Sequence, residues 1–131
     1  MEFHLKIIGI ISMILAFIHV IFPKYFDWEK ELQSVSLINK QLMYVHTFFI
    51  ALVVFLFGMF CFFSAEELLN TRLGKQVVLA LAVFWGLRLL FQFFVYSPIL
   101  WKGKVLETFV HIVFSVIWTY FTVVFLMAYL L

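Results

Sequence analysis

The sequence predicts an all-α integral membrane protein: an antiparallel bundle of four transmembrane helices, with a short amphipathic interfacial helix between the first two. Three observations predict it. Hydrophobic residues fill 66% of the 131 positions and charged residues only 12%, against roughly half and a quarter in a soluble domain. Four apolar stretches are each about as long as the ~20 residues a bilayer crossing needs. The segments between them hold the prolines and most of the charge. Nineteen Phe in so short a chain would cover a water-soluble globule with apolar patches.

The first stretch is residues 5–22, "LKIIGIISMILAFIHVIF". Its apolar run is long and no small-x-small cleavage pattern follows, so a retained helix is expected, ended by Pro23. Residues 23–40, "PKYFDWEKELQSVSLINK", are amphipathic. Trp28, Leu32 and Val35 fall at helical spacing opposite Glu29, Lys30 and Gln33, which suits a helix lying on the membrane surface. Tyr25 and Trp28 would sit at headgroup depth.

The second span is residues 41–63. In the connection "SAEELLNTRLGK" (64–75), Ser64 with Glu67 three positions on matches a capping box, and Gly74 is expected as a break. The third span is residues 76–96. "SPILWKGK" (97–104) carries a Pro and a Gly, as a turn between antiparallel helices would, and residues 105–131 form the fourth span. With no internal repeat, the chain is expected to form one domain over 1–131, both termini on the same side.

Basic residues suggest an orientation. Lys6, Arg72 and Lys75 flank the side of the termini, while Lys24, Lys30, Lys40, Lys102 and Lys104 flank the other. The positive-inside rule then places the first and third loops in the cytoplasm and the termini on the non-cytoplasmic side. The net charge of +2 is too small and scattered to suggest nucleic acid. The lipid bilayer is the expected partner, with a homo-oligomer or a larger membrane complex as protein partners. A single cysteine, Cys61, excludes a disulfide framework and an in-chain dithiol couple, and is expected as a small packing residue. No Gly-rich phosphate loop, CxxC, GxSxG or HExxH occurs.

The polar residues are where function is expected. On an antiparallel bundle, His19 lies about one turn before the end of the first span and His46 little more than one turn into the second, Arg88 and Gln92 lie in the second half of the third, and Glu107 and His111 open the fourth. All would share one leaflet. Trp85, Arg88, Gln92 and Tyr96 follow i, i+3, i+7, i+11 and make one stripe. Glu107, His111 and Ser115 make another. Ionisable stripes in a membrane bundle face its interior or a water-filled cavity, so Glu107 would pair with Arg88.

Three functional readings follow. In the first, His19, His46 and His111 bind a transition metal (Fe, Cu or Zn), with Glu107 as a fourth ligand or a ring-orienting acceptor. Alternatively, two of the rings ligate haem b, and Arg88 meets a propionate within a cofactor pocket of Trp85, Gln92 and Tyr96. Redox chemistry would be the use of either. In the second, the same residues form a metal-free polar pocket for a quinone-like or anionic lipid-soluble ligand, serving a carrier, sensor or proton relay. In the third, the chain is an accessory subunit and the polar cluster sets helix register. A structural Arg88–Glu107 pair, and histidines that merely bond helix to helix, are the bland counterparts.

Overall fold

The computed structural model describes all 131 residues. It is helical over 86% of the chain, with no strand. Its elements are α1 (Glu2–Tyr25), α2 (Trp28–Glu31), α3 (Leu37–Phe63), α4 (Ala65–Asn70), α5 (Arg72–Phe94) and α6 (Val105–Leu130), with a 3-10 turn at Pro98–Leu100. Hydrocarbon offers no partner for backbone polar groups, so a spanning segment that satisfies them internally must be helical. Helices α1, α3, α5 and α6 are each long and apolar enough to cross a membrane. Their outer surfaces fit that setting: Phe17, Phe49, Phe84 and Ile112, one from each, are all more than half exposed. The chain is a multi-pass membrane protein.

The residues fall into two compact units, Phe3–Ala65 and Glu66–Leu131, the second including Met1–Glu2. Within the first unit, α1 and α3 pack antiparallel through glycine. A Cβ at Gly9 would lie 2.5 Å from the carbonyl oxygen of Gly58, and one at Gly58 would lie 2.8 Å from that of Gly9. Such small-residue contacts let backbones approach, which is how helices gain packing energy in lipid. Further along, Phe17 meets Phe55 edge-on, ring centroids 6.0 Å apart. Cys61 is free and buried, as its packing role requires.

Pro23 does not end α1. It sits inside the last turn of the helix, where its missing N–H leaves the carbonyl of His19 without the usual i+4 donor. The helix stops instead at Asp27, which takes a left-handed conformation at φ 51°. Asp tolerates that region better than most residues. The amphipathic run after it forms only the four-residue α2 and then a series of turns. Ser34 and Ser36 favour turns and caps over helix interiors. Trp28 is nonetheless anchored, its ring edge-on to Tyr44 with centroids 5.5 Å apart.

Within the second unit, α5 and α6 form an antiparallel hairpin. At one end Lys75 Nζ donates to the carbonyl of Ala128 at 2.6 Å, a cation on the negative end of α6. α4 begins directly after Ser64, with Glu67 at its third position, and the entry to α5 has a cap of its own. Thr71 is the N-cap, its hydroxyl accepting from Gly74 N at 2.9 Å. Gly74 is therefore a first-turn residue of α5 and not a break. The α4 backbone at Glu67 and Leu68 crowds the space where a Cβ would stand, so glycine is needed there for close approach. Between α5 and α6, Gly103 turns the chain with φ +76°.

A candidate intramembrane polar site on α5 and α6

Arg88 and Gln92 are one turn apart on α5, and His111 is in the second turn of α6. The hairpin brings the three together. Arg88 Nη1 donates to Gln92 Oε1 at 3.4 Å, and Gln92 Nε2 lies 2.9 Å from His111 Nδ1. Gln92 and Ser12 are the only polar side chains the chain buries.

The order of this chain fixes its chemistry. Arg88 has only donors, so it holds the oxygen of the Gln92 amide and turns the NH2 toward His111. With the amide so turned, a neutral ring accepts at Nδ1 and carries its proton on Nε2. His111 thus presents an N–H donor to its remaining surroundings. A metal or haem iron at that nitrogen would need the Gln92 amide turned over, away from Arg88.

Aromatic rings frame the chain. Trp101, from the connecting loop, stacks on His111 with centroids 3.8 Å apart and planes 12° apart. Its carbonyl accepts from the Thr108 hydroxyl at 2.6 Å, which ties the loop to the first turns of α6. Phe93 also meets His111 edge-on, with centroids 6.0 Å apart. The Arg88 guanidinium lies 5.3 Å from the ring centroids of both Tyr96 and Trp118, within cation–π reach. Tyr96 reaches it from beyond the end of α5. Trp85 stacks on Trp118 with centroids 4.8 Å apart. Trp118 itself is buried, and its Nε1–H has no acceptor.

Beside this framework runs an open groove of about 590 Å³ along α6, lined by Phe93, His111, Ser115, Thr119 and apolar neighbours. That volume is in the range of small-molecule pockets, ~300–1,000 Å³. The Ser115 and Thr119 hydroxyls donate back to the carbonyls of His111 and Ser115 at 2.7 and 2.8 Å. Their protons are used within the helix, so these two side chains offer the groove only lone pairs.

The remaining expected site residues are placed differently. Glu107 is exposed in the first turn of α6, and Arg88 is paired with Gln92 and aromatic rings in its place. The expected ion pair is absent because Glu107 is exposed on the outside of α6, while Arg88 turns to Gln92 and the rings. In the first unit, His19 Nδ1 donates to the carbonyl of Leu15 at 2.8 Å and packs on Phe22 at 4.9 Å. Its Nε2 lone pair is left for another partner. His46 is exposed. Within neither unit are three or more His, Cys, Asp or Glu side chains gathered in a metal-holding group.

Sequence reasoning missed Trp101 and Trp118. Trp118 was findable, since it is two turns beyond His111 on the same α6 face. Trp101 lies in a turn, where no periodicity points to it. No family model, curated protein or solved structure matches the chain.

Proposed function

We propose that this protein binds a lipid-soluble ligand within the membrane, recognising a hydrogen-bond acceptor on it through the α5–α6 site. It would act as a carrier, sensor or proton relay. The observation that carries this reading is the directed Arg88–Gln92–His111 chain. A polar network in hydrocarbon is costly unless satisfied, and ionisable residues there mark ligand or proton paths. Here the network leaves donors over, and an apolar groove adjoins it.

The setting belongs to the same proposal. The four long helices form one antiparallel bundle, the α2 region lies on the membrane surface, and the termini are non-cytoplasmic. The supporting features are the antiparallel pairing within each unit, Tyr25 just before α2 and Trp28 within it, and the five basic residues flanking the first and third loops against three on the other side. The exposed apolar faces suit lipid, and also a second copy or a larger membrane complex.

The test uses the protein's own fluorescence. Trp85, Trp101 and Trp118, three of its four tryptophans, surround the site. Purified protein in detergent is titrated with a lipid-soluble quinone and with a brominated fatty acid, both quenchers. Saturable quenching that weakens in His111→Ala supports the reading. Linear, unsaturable quenching by both probes overturns it.

A second reading rests on His19. A histidine that donates Nδ1–H to a backbone carbonyl and keeps Nε2 free has the arrangement used by metal and haem ligands. Haem b, or Fe, Cu or Zn, would be held by His19 with help from His46, and would supply redox chemistry when bound. Soret absorption or stoichiometric metal in purified protein, lost in His19→Ala and His46→Ala but kept in His4→Ala, supports it. A preparation from metal- and haem-replete cells with neither signal overturns it.

A further inference from the structure

The polar groups around Arg88 are unbalanced in two respects: charge and hydrogen-bond direction. Arg88 is a permanent cation within a spanning helix, and its neighbours are a neutral amide and two aromatic rings. A cation at such a depth is normally paired or faces water. Hydrogen bonding is one-sided too. One guanidinium N–H goes to Gln92, leaving the others of the fork. Trp118 Nε1–H is buried with no acceptor, and Trp118 is 4% exposed. His111 presents Nε2–H. All three residues have surplus donors, and the one strong acceptor among them, Gln92 Oε1, is taken by Arg88.

We propose that the ligand of this site is an oxyanionic amphiphile, a carboxylate or phosphate head on an apolar tail. The head meets Arg88 and, once the buried Trp118 indole shifts to expose it, Nε1–H, and the tail lies along the α6 groove past His111. This rests on the ligand-binding reading above and narrows it. A neutral quinone carbonyl would accept hydrogen bonds but leave the Arg88 charge uncompensated. An oxyanion matches the guanidinium fork and supplies several lone pairs to the donors around it. The apolar lining of the groove, Phe93, Ile112, Val116 and Val123, suits an acyl chain. The head has two sources, a free fatty acid or a lipid phosphate.

The test compares four brominated or quinone quenchers on the full chain: a fatty acid, its methyl ester, a lysophosphatidic acid and a lipid-soluble quinone. The fatty acid, the lysophosphatidic acid or both are expected to bind at least about tenfold more tightly than the ester, since hydrogen bonds to charged groups are worth that much. Tight binding of the fatty acid alone identifies a free carboxylate as the source, and of the phosphate alone a lipid headgroup. Arg88→Gln should abolish the preference. Because that variant can fail to fold, Trp118→Phe gives an independent readout. It removes the orphan donor with little loss of volume, so it should raise thermal stability or leave it unchanged while weakening oxyanion binding several-fold. Equal binding of acid, ester and quinone, or a Trp118→Phe variant that binds the oxyanion unchanged, overturns the oxyanion assignment and leaves the ligand-binding reading standing. Saturable binding of none of the four overturns both.

Discussion

The side-chain amide of Gln92 lies 2.9 Å from Nδ1 of His111 and joins α5 to α6. Because Arg88 holds the other end of the amide, the bond has a direction, and the direction decides which ring nitrogen carries the proton. Nitrogen NMR of selectively labelled protein should find His111 with its proton on Nε2. A ring protonated on Nδ1 alone would contradict the arrangement. Gln92→Leu should randomise the tautomer and cost ~1–3 kcal/mol, because it leaves part-buried groups of Arg88 and His111 without their partner.

Arg88 and Glu107 should behave independently. An ion pair between them would make either single substitution costlier than the double one. With Arg88 committed to Gln92 and the rings, thermal unfolding in detergent of Arg88→Gln, Glu107→Gln and the double variant should be additive within about 0.5 kcal/mol. A larger coupling would restore the pair.

The glycines form a graded test of packing. Gly9→Ala should destabilise by ~1–3 kcal/mol, since overpacking a tight interface forces backbone to move. A new Cβ there would stand 2.5 Å from a carbonyl oxygen and 2.9 Å from the Phe62 nitrogen. At Gly86 the nearest atom would be a Thr122 methyl at 3.6 Å, ordinary contact. Gly86→Ala should be neutral or slightly stabilising, because alanine favours helix. Equal losses at the two positions would mean that α1 and α3 do not meet through glycine.

Topology is open to labelling. Single cysteines at Ser34 and Lys102, with buried Cys61 replaced by alanine, should react from one side of the membrane and a cysteine at Asn70 from the other. The proposed orientation makes the first side cytoplasmic. Labelling of all three positions from one side would remove the four-span arrangement.

The four spans were legible in the sequence because bilayer thickness and backbone hydrogen bonding leave an apolar stretch of that length almost no alternative to helix. Their ends were less so. Pro23 and Gly74 read as stops, yet both lie inside helices. A proline in the last turn forfeits only one bond, and a glycine can be retained in a helix for the space it leaves beside another backbone. The stripe of Trp85, Arg88, Gln92 and Tyr96 followed from periodicity alone, and so did the presence of His111 on a polar face. Periodicity cannot say which charged group answers which. Coulomb attraction suggested Glu107 for Arg88, but partner choice depends on the rotation of α6 about its axis and on the path of the loop. That rotation brings His111 to Gln92, leaves Glu107 exposed, and lets Trp101 fold back from a turn onto the imidazole. Composition and helical period thus determined that the chain spans a membrane and which faces are polar. The tertiary packing of α5 against α6 decided which polar groups meet, because only the packed hairpin fixes the few ångströms that separate a hydrogen bond from a mere neighbour.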